Sequence, residues 1–457
     1  MSGISPFHAL AFRKLPSGPL MERMMEETVP HPFPAHAQDQ LNALSSIEPS
    51  GPYRASSVEG PGPGWIERFP IIVHSHLRWD FVWQRPQQIL SRMAQHHRIA
   101  FIEEPVEGSR YAPASLEISE PMDNIIRIVP LLPGPPDGVD EQSRVILQLV
   151  RAALADHPLL QGRFERPVQW FYSPMTAPVM LGEFGSAGVV YDCMDELANF
   201  RFAPTDIRQR EALLLDRADI VYTGGYQLYE AKSAQHPNVH FHGCGVDAAH
   251  FGGARLAQTQ VPASIANLAR PVFGYFGVID ERLDYPLIAA LAAQFPEASI
   301  VMAGPLAKVE QHQLPAAPNI HWLGQQAYED LPALAKGFDV CLMPFALNDA
   351  TRFINPTKTL EYMATATPIV STAVADVVRN FTPVVAIAHD REEFLDLAAR
   401  ALRSPDAELI EEGVQRAAAA SWSQTVADMR GELQSALRSA EDRSMARCPV
   451  VDAEATE

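Results

Sequence analysis

Asn355-Pro356-Thr357-Lys358-Thr359-Leu360-Glu361-Tyr362 follows the apolar run 340–345 and reads as strand, loop, then a helix that opens abruptly. Asn355 is a good N-cap, and Pro356 suits the first helical position, where a missing N–H costs nothing. Lys358 then falls in the first turn, where a cation opposes the helix dipole. That placement makes sense if an anion sits there, held by free backbone N–H groups, those of Thr357 and Lys358 among them, and neutralised by the ammonium. Glu361 lies on the same face one turn deeper, suited to accept hydrogen bonds from vicinal hydroxyls. A surface Lys–Glu pair is the competing reading, but Lys preceding Glu is the less favourable order for it. Phosphate above and sugar hydroxyls below describe a nucleotide.

Working outward, short runs of Val and Ile alternate with helical patterns on both sides of this stretch. Strands are expected at 71–74, 99–103, 125–129, 168–172, 189–193, 220–223 and 239–242, then at 272–278, 299–303, 320–323, 340–344, 368–371 and 384–387. Continuous rather than alternating apolar residues suit strands buried on both faces of a parallel sheet. The rhythm appears twice, with a break near Gly252 to Ala269. The expected fold class is therefore α/β, two doubly wound Rossmann-like domains facing a cleft, at 69–251 and 270–421. A late amphipathic helix, 422–437, is expected to pack back across the first domain. Residues 1–68, rich in Pro, Ser and Gly, read as a disordered extension, and 438–457 as a disordered tail.

Net charge of −19 over 457 residues leaves no basic surplus for a phosphate backbone, which argues against nucleic acid as a partner. An anionic ligand then depends on local cations, Lys358 and Arg352 first. The four cysteines, Cys193, Cys244, Cys341 and Cys448, are scattered singly, so neither a zinc site nor a disulfide framework is expected. No run reaches about 18 apolar residues, and the start lacks a signal-peptide core; the expectation is a cytoplasmic protein.

Four landmarks together resemble GT-B glycosyltransferases of family 4 and its group 1 relatives, over roughly residues 70–437. They are Gly245-Val246-Asp247 with His250-Phe251; Gly274-Tyr275-Phe276-Gly277 through Asp284; Ile320-His321-Trp322-Leu323-Gly324 with Asp330-Leu331-Pro332 and Asp339-Val340; and Pro356 to Tyr362 closing with Thr367-Pro368-Ile369-Val370-Ser371. Many such enzymes carry two glutamates eight positions apart on the last segment; Glu361 matches the second, but Phe353 occupies the first. Lys358 fits a subgroup with Pro-x-Lys-x-x-Glu-Tyr, found in bacterial cell-surface polysaccharide enzymes, and Trp79 to Gln88 resembles the Trp…Gln-Arg-Pro-Gln element of that subgroup.

The resemblance implies a nucleotide-diphosphate sugar as donor substrate, bound by the second domain, with no other cofactor and no metal needed. It implies a glycan or lipid-linked acceptor met by the first domain, in the latter case at the inner membrane surface. Donor contacts fall on Gly277, Arg282, Asn355, Thr357, Lys358 and Glu361. Asp195, just beyond the expected strand 189–193, is the first choice as base toward the acceptor hydroxyl, with Asp192 and Glu196 as competitors and a helix cap as the bland alternative. His76, Trp79 and Arg85 are candidate acceptor or sugar contacts, and Trp79, Phe81 and Trp83 an aromatic platform. A nucleotide-sugar epimerase of the same architecture, or a non-catalytic sugar-nucleotide-binding protein, are the rival readings.

Overall fold

The computed structural model of the chain describes residues 65–134 and 138–447. The expected disorder at 1–64 and 448–457 lies outside the described residues, whereas Trp65–Glu67 form a helical turn and 438–447 continue a helix.

Two sheets organise the described chain. The first is built from β1 (Ile71–His74), β2 (Ile99–Ile102), β3 (Val106–Glu107), β4 (Ser115–Met122), β5 (Ile125–Leu132), β6 (Val168–Phe171), β7 (Gly188–Cys193), β8 (Ile220–Thr223) and β9 (Val239–Phe241). Its spatial order is β3-β5-β2-β1-β6-β7-β8-β9, with β4 antiparallel on β5 and the rest parallel. The second contains β10 (Val272–Phe276), β11 (Ser299–Ala303), β12 (Ile320–Gly324), β13 (Val340–Met343), β14 (Ile369–Thr372) and β15 (Ala386–Ala388), ordered β12-β11-β10-β13-β14-β15. That is the doubly wound order, which reverses direction between β10 and β13.

Every strand expected from the apolar runs is present, within a few residues at its ends. The physical reason holds too: β1, β2, β6, β7, β10, β11 and β13 are buried along their whole length, as parallel strands covered by helices on both faces must be. Two strands were not foreseen. β3 is two residues long, and β4 is an exposed edge with polar alternation, carrying no continuous apolar signal.

The late helix runs Trp422–Arg447, about ten residues beyond the expected end. It lies against the first sheet, where the buried Tyr222 hydroxyl on β8 donates to the Met429 carbonyl. At its start, Val246 N donates to Ala420 O at 2.8 Å, so the chain leaving the first sheet is stitched to the chain returning to it. Among the described residues, no helix is long and apolar enough to cross a membrane.

Trp422 is 2% exposed at this junction. Trp422→Ala is expected to cost about 3–5 kcal/mol, because the site cannot collapse around the lost ring. A urea titration followed by circular dichroism measures it.

Candidate active site

The carboxyl ends of both sheets converge on one cavity of about 420 Å3. From the first sheet come Asp195 after β7, Gly224 after β8 and Cys244 after β9; from the second, Gly277 after β10, Gly304 after β11 and Gln325 after β12. The Lys358 helix (Lys358–Thr365) enters between them, beside the reversal point of β10 and β13, where open α/β sheets hold ligands.

The helix begins later than the sequence suggested. Thr357 is its N-cap, in αR geometry and without a side-chain capping bond. Asn355 therefore is not the cap. Its Nδ2 instead donates across the cleft to Gly224 O at 3.0 Å, and its carbonyl accepts from Cys244 Sγ at 3.2 Å. An Asn two residues before a helix is free to bond elsewhere when the intervening Pro356 and Thr357 already turn the chain. Leu360, Tyr362, Met363 and Ala364 bury the opposite face. The Tyr362 hydroxyl accepts from Phe276 N at 3.0 Å.

Lys358 lines the cavity, its Nζ 5.4 Å from the Tyr275 ring centroid. Among the described residues it forms no ion pair. Burial pushes its ammonium pKa down, and Glu361 pulls it partly back up. Gly277 makes room for it: a Cβ there would stand 2.0 Å from Lys358 Cε, at a backbone φ of +138° that side-chain-bearing residues avoid. Glu361 and Thr357 also line the wall, and burial pushes the Glu361 carboxyl up to about 7 against the pull of Lys358.

Arg282 reaches the cavity but its guanidinium grips Asp280, Nε at 3.0 Å and Nη2 at 2.6 Å from carboxylate oxygens. Burial works against that charge, and Asp280 more than offsets it, so the pKa is raised.

On the opposite wall the three acidic candidates separate. Asp192 is fully buried and paired with Arg85 at 3.0 Å. Glu196 accepts from Lys232 Nζ at 2.9 Å, in a buried network with Glu211 and Tyr191. The Asp195 carboxylate alone of the three faces the cavity, and among the described residues its oxygens have no hydrogen-bond or ion-pair partner. Burial raises its pKa to about 6 against the opposing pull of Arg282.

Three contacts expected from the sequence differ. Arg85 lines the cavity, but it is 3% exposed and spent on Asp192 and on His242 O at 2.7 Å. A guanidinium that far inside must be paired. His76 is buried behind the wall rather than on it, its pKa lowered to about 4 by burial and then by Lys308. Trp79 touches the cavity yet is 5% exposed, edge-on to Phe101 at 5.2 Å. Trp83 is the ring that meets the second half, 5.9 Å from Tyr328.

Sequence reading missed Tyr328, whose hydroxyl accepts from Gln88 Nε2 at 3.0 Å across the cleft. It also missed Lys308, held 3.5 Å from Glu281 and 4.6 Å from the Phe200 ring. Neither lies in a motif, and only the fold brings them near. Among the described residues, no group of three His, Cys, Asp or Glu side chains could hold a metal ion.

The geometry is the GT-B arrangement, two Rossmann-like halves with a cleft between their carboxyl edges. Residues 270–404 match the family described as Glycosyl transferases group 1, so the resemblance read from the sequence is borne out. A Bacillus subtilis (strain 168) protein, TuaH, named for teichuronic acid biosynthesis as a glycosyltransferase, is 25% identical over 224 residues, covering 46% of this chain. The chain spans 56% of that relative's length. Sucrose-phosphate synthase from Thermosynechococcus elongatus superposes with a TM-score of 0.62 at 17% identity, over 82% of this chain and all of that one. An E. coli structure titled as trehalose-6-phosphate bound with UDP-2-fluoro glucose gives 0.57 at 14% identity, over 80% and 99%.

Gly277→Ala is expected to fold while displacing the Lys358 ammonium, and so to weaken nucleoside diphosphate binding at least about tenfold by calorimetry. Glu361 supplies a pH test. Its folded pKa is raised, so its ionisation disfavours the unliganded fold as pH rises from the unfolded value, near 4.5, through about 7. Glu361→Gln should therefore raise the melting temperature relative to wild type at pH 8 and much less at pH 5.

Proposed function

We propose that the chain is a nucleotide-sugar-dependent glycosyltransferase of the hexosyltransferase type, moving a sugar from a nucleotide-diphosphate donor to a glycan or lipid-linked acceptor in bacterial cell-surface polysaccharide synthesis. The observation that carries this reading is the unpaired Lys358 ammonium at a helix start inside a GT-B cleft, with Glu361 beneath it and an unpaired Asp195 carboxylate opposite. The glycosyltransferase match over 270–404 covers the half that carries Lys358 and Glu361, and the polysaccharide assignment draws on the name of the Bacillus relative.

In this mechanism the bond between the anomeric carbon and the β-phosphate oxygen breaks, and negative charge develops on the departing nucleoside diphosphate. Lys358 and the N–H groups at the start of its helix stabilise that charge. Glu361, when ionised, accepts from the ribose hydroxyls. The acceptor hydroxyl forms the new bond to the anomeric carbon, and Asp195 takes its proton. Trp83, half-buried on the wall of the first half, is the aromatic platform for the acceptor. Closure of the cleft excludes water that would otherwise hydrolyse the donor. A lipid-linked acceptor would be met at the inner membrane surface by a chain that is otherwise cytoplasmic.

A thermal-shift screen across UDP-, GDP- and dTDP-sugars should single out one donor, since specific binding stabilises the native state; no shift with any of them refutes the reading. With that donor, Lys358→Ala should lower turnover by about 100-fold or more, and Glu361→Ala should chiefly weaken donor affinity. The acid limb of kcat/KM should fall near pH 6, where the Asp195 carboxylate takes up its proton, and should vanish in Asp195→Asn.

A further inference from the structure

The helix Tyr226–Ser233 of the first half begins at the cleft, and its first N–H groups are not satisfied within its own half. Both oxygens of Asp376, on the helix Ala375–Phe381 of the second half, accept them: Tyr226 N at 2.7 Å and Gln227 N at 3.3 Å. Asp376 is 0% exposed. Its neighbour Arg379 lies 3.4 Å over the Tyr226 ring. The preceding turn is clamped as well. Gly224 O accepts from Asn355 Nδ2, and a Cβ on Gly225 would stand 2.7 Å from Asp376 Oδ2 and 3.0 Å from Phe353 O. So the turn after β8, which leads the first half into the cavity, is seated on two parts of the second half at once: the Asp376 carboxylate, and the segment 353–355 that runs directly into Lys358.

We propose that Asp376 is a positioning residue for sugar transfer: by capping the helix Tyr226–Ser233 from across the cleft, it fixes the Gly224–Gly225 turn against the approach to the Lys358 helix and so sets Asp195 and Lys358 on facing walls of one cavity. The proposal rests on the glycosyltransferase reading. Asp376 does not line the cavity. Its effect passes through backbone contacts: a carboxylate on a helix start satisfies orphan N–H groups and complements the dipole, and among the described residues no side chain of the first half bonds these two N–H groups. Without it, two buried N–H groups lose their partners, and the close approach at Gly225 loses its counterpart. The halves then keep their own folds but not their mutual register, which a transfer between a donor on one and a base on the other cannot tolerate.

The test uses the full chain with Asp376→Ala, Asp376→Asn and Gly225→Ala, the last wedging the same joint without removing the charge. Three quantities are measured: UDP and GDP affinity by calorimetry, nucleoside diphosphate release from the matching sugar donor, and hydrogen exchange by segment. For Asp376→Ala the expected result is diphosphate affinity within about threefold of wild type, turnover down about tenfold or more, and exchange at 226–227 and 353–358 faster by about tenfold. Asp376→Asn, keeping one acceptor oxygen, should recover part of the turnover, and Gly225→Ala should reproduce the loss. Turnover within twofold of wild type in Asp376→Ala overturns the proposal, as does exchange at 353–358 that does not change. A parallel fall of diphosphate affinity and turnover overturns it too, because the effect is then on donor binding alone. Should wild type bind no diphosphate and release none, the glycosyltransferase reading fails by itself. The exchange data still decide whether Asp376 couples the two segments.

Discussion

Lys358 stands in the cavity because Gly277 carries no side chain at the end of β10. That steric fact sits at the place where the second sheet reverses direction, so the gap between β10 and β13 is both a topological crevice and the entry point of the Lys358 helix. An ammonium at a helix start is disfavoured twice, by the dipole and by desolvation. The downward push on its pKa expresses the second cost. A fold tolerates such an arrangement where binding an anion offsets it, and the open cavity beside it admits one.

The remaining charges at the cleft are mostly cancelled. Arg282 is held by Asp280, Arg85 by Asp192, Lys232 by Glu196 and Glu211. These pairs are interior, and removing one partner of any would strand the other charge. Their consequence for chemistry is selective. They leave Lys358 and Asp195 as groups whose charge is not already satisfied by protein, one on each wall. Two acidic neighbours of Asp195 in sequence are thereby excluded as bases by geometry, and not by residue type. The acidity of the whole chain, at −19, has no bearing on this local cation.

How much of this could be read from the residues alone varies with the range of the interaction. The Val- and Ile-rich runs gave the parallel strands because burial on both faces demands that composition, whereas β4, exposed and polar, left no such trace. Thr357, Lys358 and Glu361, singled out from the local pattern of a helix start, do line one cavity together with Gly277 at the end of β10. Asn355 was misread for the same reason: its local preference is to cap, and a contact 131 positions away in Gly224 prevailed. Arg85 and His76 were read as acceptor or sugar contacts, but their burial depends on β7 and β6 lying alongside, which no window of sequence contains. Asp376 carried no signal in the sequence. Its partner lies in the other half of the chain.

Phe353 draws these threads together. Many enzymes that the chain resembles have a carboxylate at this position, and its absence was the main support for a non-catalytic reading. In this structure the Phe353 side chain packs against the hydrophobic core of the first half, while its carbonyl lies beside Gly225. The ring is half-buried, with the Arg352 guanidinium carbon 5.3 Å from its centroid. Phe353 is thereby part of the joint between the halves. An apolar anchor at 353 and a cross-cleft bond from Asn355 tie the first half to the chain entering the Lys358 helix, and the Asp376 cap adds a third tie from the following helix.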